Sequence, residues 1–164
     1  MSPQEQANFY FAYGSNMNPR RVDKRNMKFK GYGGGILEGY RLAFNKRSIK
    51  FPGAASANVV PAPECQVEGV VYRLPVPQEI EVLDPYEGYP VRYRRERLPI
   101  TSDFGLVDAW VYIANDEFVT HGLKPARWYL EHLLKGRPYM SKTYYAELQR
   151  TETLPDSHVE PEDD

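Results

Sequence analysis

Cysteine is almost missing from this 164-residue chain. Cys65 stands alone, which excludes an internal disulfide and any multi-cysteine metal site. Histidine is nearly as scarce: His121, His132 and His158 do not form a metal-ligand set, and His132 has Glu131 beside it but no second histidine one helical turn away. No stretch approaches the roughly 18 apolar residues of a membrane span, and the start, Met1-Ser2-Pro3-Gln4-Glu5-Gln6, has no apolar signal core. These absences point away from a metal centre, a membrane and an oxidising compartment, and make the cytosol the expected location.

A strong net charge is missing too, but the formal value of -1 conceals an asymmetry. Glu152, Asp156, Glu160, Glu162, Asp163 and Asp164 crowd the last thirteen residues without a basic partner, leaving 16 acidic against 21 basic side chains elsewhere. The expectation is one mildly basic domain over residues 1–150 and an acidic, solvated tail over 151–164.

Several nucleotide and hydrolase signatures are also absent. Gly33-Gly34-Gly35 is followed by no Gly-Lys-Ser/Thr and lacks the dinucleotide-binding spacing, so it reads as a flexible turn. Ser15 sits in no Gly-x-Ser-x-Gly elbow. Cys65, in Pro63-Glu64-Cys65-Gln66, reads as an incidental residue of a polar turn.

What the chain does have is apolar strand pattern and tyrosine, 13 of them. The pattern predicts strands over Asn8–Tyr13, Ile36–Phe44, Asn58–Pro61 and Val67–Leu74. Arg92–Ile100 and Leu106–Ala114 form a predicted hairpin around Thr101-Ser102-Asp103-Phe104-Gly105. Gly31–Gly35 and Asn45–Ala57 read as loops. A helix starts at Asn18-Pro19, with Asn as cap and Pro in the first turn. A short helix is expected over Pro77–Leu83, with Pro85 opposing its continuation. A longer one spans Pro125–Lys135 with Gly136 as C-cap, and Ser141 caps a last helix. Strands first and helices last indicate an α+β domain with a mostly antiparallel sheet or small barrel.

Two groups of polar residues could carry function. Arg92, Arg94, Arg95 and Arg97 around Tyr93, with the basic Arg20–Lys30 segment, could face a nucleic acid, although a solvated strand and helix explain them equally. The other group is Tyr13-Gly14-Ser15-Asn16, a glycine turn running from a strand into a helix start, together with Glu87-Gly88. Such a turn can direct backbone N–H groups into one concavity, and Gly14 admits backbone conformations closed to other residues. Glu87 offers one carboxylate for proton transfer.

In combination these residues resemble a known family. Phe11-Ala12-Tyr13-Gly14-Ser15-Asn16-Met17 is similar to the substrate loop of the γ-glutamylcyclotransferases and their AIG2-like relatives, and Leu83-Asp84-Pro85-Tyr86-Glu87-Gly88 resembles the segment carrying their catalytic glutamate. Val67-Glu68-Gly69-Val70-Val71-Tyr72 is similar to the intervening strand. Tyr93-Arg94 resembles the family's tyrosine segment beyond the glutamate, and Tyr129 a helix tyrosine lining the site of some members. The likeness runs over roughly residues 9 to 150. It implies a small mixed, mostly antiparallel β-barrel with short flanking helices, and a small-molecule γ-glutamyl substrate, with no cofactor, metal, nucleic acid or membrane needed. It also implies Glu87 as general acid and base, and Tyr10, Phe11, Ala12, Tyr13, Gly14, Ser15 and Tyr129 as substrate-binding residues.

The implied reaction is intramolecular: the α-amine of a γ-glutamyl group attacks its own γ-carbonyl, releasing 5-oxoproline and an amine. Glu87 is expected to have a raised pKa through burial against Tyr86 or Tyr129. The Ser15-Asn16 form of the loop suits the branch acting on γ-glutamyl amino acids. It also suits relatives that trim a γ-glutamyl group from an antibiotic precursor. Contacts to the leaving group are expected from Asn45–Ala57 or Asp116–Lys124. Two other readings stay open: a non-catalytic binding member of the same fold, and a nucleic-acid module using Arg92–Arg97.

Overall fold

The computed structural model describes residues 8–155. Five strands, β1 (Phe9–Ala12), β2 (Gly31–Arg47), β3 (Ala55–Arg73), β4 (Tyr93–Ser102) and β5 (Gly105–Ala114), close into a barrel in the order β1-β3-β2-β4-β5. Every pairing is antiparallel except β1 with β5, which run parallel where Tyr10 faces Trp110. The expected mixed, mostly antiparallel α+β barrel is therefore present. Four α-helices flank it: α1 (Pro19–Lys24), α2 (Asp84–Glu87), α3 (Arg127–Leu134) and α4 (Lys142–Gln149).

β1 explains its own apolar run, because it is buried on both faces. Phe9, Phe11 and Tyr13 join Leu37, Val59, Val71, Ile100 and Val111 in a cluster whose buried members come from no helix, the barrel interior, with Tyr129 of α3 packed against it. Tyr10 and Ala12 face the other way, into a cluster with Met17, Val22, Leu130, Leu133 and Leu148 from the helices and their approaches. The alternation of a strand thus divides one short segment between two cores.

Two turns expected from the sequence, Gly31–Gly35 and the one holding Cys65, are strand instead. Gly31–Gly35 is the first part of β2 and pairs with Gly69–Arg73. A Cβ at Gly35 would run into the Val71 side chain and lie 3.0 Å from Ile100; one at Gly69 would run into the Ala12 carbonyl. These glycines let strands and the Phe11 ring approach closely; they are not a flexible turn. Asn58–Pro61 and Val67–Leu74 belong to one 19-residue strand that also holds Cys65. Pro63, which cannot donate to a ladder, lies where the β2–β3 register slips between Glu38/Gln66 and Tyr40/Pro61. The ladder bypasses it.

The helix signals fare better. The Asn18 side chain accepts from the Arg20 N–H at 3.2 Å, and the Ser141 side chain from the Tyr144 N–H at 3.2 Å. The expected helix over Pro77–Leu83 is a 3-10 turn, Pro77–Val82, and Pro85 falls in the first turn of the new helix α2. Gly136 is not a left-handed cap, since its φ is -79°. It is small because a Cβ there would meet Met17 Sδ at 3.0 Å. Leu154 N–H donates to the Pro125 carbonyl at 2.9 Å, so the chain just past residue 150 packs against the approach to α3. The rest of the expected acidic tail lies outside the described residues. No described helix is long and apolar enough to cross a membrane.

Candidate active site

Glu87 ends α2, a helix of four residues. A single turn does not hold itself together in water, so side chains hold it. Asp84, at its start, takes two hydrogen bonds from Arg95, both at 2.9 Å, and one from the Tyr112 hydroxyl at 2.7 Å. Gly88 stops the helix in the left-handed region at φ 72°, and a Cβ there would collide with the Arg92 guanidinium. Glycine is required on both counts.

The loop after β1 forms the facing wall. The Tyr13 hydroxyl donates to the Tyr112 carbonyl at 2.6 Å, which ties the loop to β5. Residues Ser15–Met17 then make a 3-10 turn, and the Tyr72 hydroxyl donates to the Asn16 carbonyl at 2.6 Å. Gly14 has an ordinary negative φ of -112°, so the glycine serves space rather than a special backbone. A Cβ would lie 3.1 Å from the Tyr129 hydroxyl and 3.2 Å from the Ala57 Cβ. The third wall is Ala57, held from both sides: its N–H donates to the Tyr129 oxygen at 2.9 Å, and its carbonyl accepts from Tyr93 at 2.7 Å.

Between these walls lies a cavity of about 320 Å³, within the range of small-molecule sites. Of the residues expected to bind substrate, Tyr10, Tyr13, Gly14, Ser15 and Tyr129 line it, together with Glu87. Phe11 and Ala12 do not. Strand alternation and full burial put the Phe11 ring inside the barrel against Gly69 and Ala12 in the helix-side core. Residues 48–51 and 54–57, from one of the two expected leaving-group loops, line it too; the Asp116–Lys124 loop does not reach it.

Glu87 is the one acid among the described residues that line the cavity, against Arg21, Arg25, Lys46, Lys50 and Arg92. Burial raises its pKa above the usual carboxylate value, while Arg25, Arg21, Lys46 and Arg92 pull the other way. Both expected aromatic neighbours, Tyr86 and Tyr129, line the cavity with Glu87. Tyr86 is 49% exposed, with its ring under the Arg25 guanidinium at 4.8 Å. The apolar surround comes from Tyr10, Tyr13, Tyr93 and Tyr129, whose hydroxyls are all held neutral by burial first and by the Glu87 charge second or later.

The cations are what the sequence reading missed. Arg21 and Arg25 lie in a segment expected to be solvated, yet both are buried. The available signal was their i, i+4 spacing, which places them on one face of α1 and its end. The Arg21 Nε donates to the Ser15 hydroxyl at 3.1 Å, and one Arg25 nitrogen donates to the Asn16 side-chain oxygen at 3.3 Å. Lys46 had no signal. The slip between Ala43 and Lys46 breaks the alternation of β2, so Asn45 and Lys46 are both buried. Among the described residues no cluster of His, Cys, Asp or Glu could hold a metal ion.

The family model for γ-glutamyl cyclotransferase, AIG2-like, matches residues 10–131, which contain every wall of this cavity. The chain belongs to that family. Solved structures agree on the γ-glutamyl cyclotransferase-like fold. A protein described as a γ-glutamyl cyclotransferase superposes with a TM-score of 0.76 at 21% identity, over 89% of this chain and 88% of that one. An uncharacterized human protein gives 0.74 at 22%, over 89% and 88%. YkqA from Bacillus subtilis gives 0.75 at 23%, over 87% of this chain but 52% of its own length. No curated protein sequence matches the chain at a significant level.

Proposed function

We propose that the protein is a γ-glutamylcyclotransferase that releases 5-oxoproline from a γ-glutamyl amino acid, with Glu87 carrying the proton. The observation that supports this most is one carboxylate of raised pKa facing a small cavity otherwise rich in arginine and lysine. A γ-glutamyl amino acid brings two carboxylates and an ammonium, which suits cations around one base.

The chemistry divides into positioning and proton transfer. Amine and carbonyl belong to one molecule, so the cavity has only to fold the glutamyl chain. Oriented intramolecular reactions reach effective molarities of about 10⁵ M and above. Glu87 takes a proton from the α-ammonium, and the freed amine attacks the γ-carbonyl. As the tetrahedral intermediate collapses, the same carboxyl gives a proton to the leaving nitrogen. General acid–base help of this kind contributes about 10²- to 10⁴-fold, and a raised pKa keeps the carboxyl able to serve in both roles near neutral pH. The backbone of Tyr13-Gly14-Ser15 is the candidate donor to the oxyanion. Ile49, Phe51 and Trp128, which also line the cavity, would meet the leaving amino acid.

The test is to incubate the protein with γ-glutamyl dipeptides, γ-glutamyl-ε-lysine and glutathione and follow 5-oxoproline by mass spectrometry. Release by the wild type and not by Glu87→Gln supports the reading. Release of equal amounts by both proteins would remove Glu87 from the mechanism. Release only from glutathione or the lysine conjugate would move the substrate class.

A further inference from the structure

Asn16 occupies a position that the proton-transfer scheme does not use. It is 2% exposed, and every polar atom of its side chain is engaged. Its Nδ2 donates to the Tyr10 hydroxyl at 3.0 Å and to Glu87 Oε1 at 3.3 Å. Its Oδ1 accepts from Arg25 at 3.3 Å, and its carbonyl accepts from the Tyr72 hydroxyl at 2.6 Å. The orientation of the amide is forced. A guanidinium can only donate, so the oxygen must face Arg25 and the NH₂ must face the carboxylate.

We infer that Asn16 is a positioning residue: its side-chain amide fixes one oxygen of the Glu87 carboxylate and leaves the other to move the proton. Among the described residues Oε2 of Glu87 takes no hydrogen bond, while Oε1 takes the one from Asn16. One oxygen of the carboxylate is therefore anchored, on a residue that lines the cavity. The Arg25 contact polarises the amide, which strengthens the N–H that Glu87 receives. Asn16 in turn is anchored by Tyr72, which stacks against Tyr10 at 5.9 Å, so its backbone is as fixed as the barrel wall. Leu at this position is near in size but donates nothing, and Asp presents an acceptor to an acceptor. The asparagine thus supplies the carboxylate with a donor rather than only filling space. This rests on the reading of Glu87 as the base.

The experiment uses the full chain labelled with ¹³C at the glutamate side-chain carboxyl, the Glu87 signal being assigned by its loss in Glu87→Gln. A hydrogen bond to the charged form favours that form. In Asn16→Leu the titration midpoint of Glu87 should therefore move up by about one pH unit. In Asn16→Asp, which keeps the shape and adds a like charge, it should move further. The acid limb of kcat against pH should follow the same order, with kcat down about tenfold or more at neutral pH and KM little changed. Midpoints and kcat unchanged in both variants would overturn the inference, and Asn16→Asp alone carries the test if the leucine variant does not fold. The titration needs no turnover. If no γ-glutamyl compound reacts but the midpoints shift, the coupling of Asn16 to Glu87 stands while the proposed reaction falls.

Discussion

Two glycine sites in this barrel, the paired Gly35 and Gly69 of β2 and β3 and Gly14 after β1, use the missing side chain for opposite ends. At Gly35 and Gly69 the gap is filled by apolar neighbours and backbone: Val71, Ile100, the Phe11 ring and the Ala12 carbonyl. At Gly14 the space is taken by the Tyr129 hydroxyl, which is bonded to Ala57, and beyond it lies the cavity. The first segment closes the barrel and the second opens it. A run of glycines is therefore a poorer sign of a binding loop than one glycine flanked by groups that must stay polar.

The contrast between closed barrel and open cavity is sharpest at Glu87. Glu87→Gln should lower turnover by about 10²-fold or more, read as 5-oxoproline formed per enzyme, and should at the same time raise the melting temperature. The sign follows from burial. The folded-state pKa of this acid is raised, so protonation favours the native state. Its stability contribution is greatest below the unfolded-state pKa and is lost as pH rises through the folded one. At neutral pH the wild type bears that penalty and the glutamine variant does not. A melting point lower than wild type would contradict the sign. By the same shift, the base form disappears on acidification at a pH above that of an ordinary glutamate.

Gly69→Ala should do the reverse. The added methyl meets the Ala12 backbone, which cannot swing away, so overpacking should cost about 1–3 kcal/mol. Denaturant unfolding should show the loss, with KM near wild type in whatever folded protein remains. Gly14→Ala falls between the two. Its Cβ has slightly over 3 Å to the Tyr129 hydroxyl and Ala57, so stability should change little while kcat/KM falls by about tenfold through displacement of the cavity wall. Equal effects of Gly14→Ala and Gly69→Ala on melting would erase the distinction between the segments. Ser15→Ala should be milder in turnover than Glu87→Gln, at a cost of about 1.5 kcal/mol or somewhat more, because it removes one hydrogen bond from the charged Arg21. A loss as large as that of Glu87→Gln would assign the hydroxyl a chemical role.

Much of the frame was legible in the amino-acid sequence, for identifiable reasons. Asn18 and Ser141 act as caps through local bonds, and the Arg92–Ala114 hairpin pairs neighbours in sequence. Glu87 and Tyr13-Gly14-Ser15 could be picked out because their spacing resembles a known pattern. The hidden part depends on partners far along the chain. Gly33 and Gly35 are strand residues only because β3 lies against them, and Lys46 is buried only because the β2–β3 register slips. Phe11 and Ala12 group with Tyr13-Gly14-Ser15 in sequence because they are adjacent to it. Adjacency in a strand puts neighbours on opposite faces, and those two side chains go to the two cores. Tyr86 is adjacent to Glu87 and expected to shield it for the same reason; it lines the cavity but is half exposed, with its ring under Arg25.

The brevity of α2 bears on how the protein meets heat. Asp84 is clamped by Arg95 and Tyr112, both on the β4–β5 hairpin, and three residues later the same turn delivers Glu87. Glu87 is thus moored by a polar clip on a segment too short to persist by itself. A segment of that kind opens locally at a lower free energy than the barrel around it. The span of temperatures over which the protein can work should be narrower than the span over which it stays folded, and its upper limit is set at residue 84.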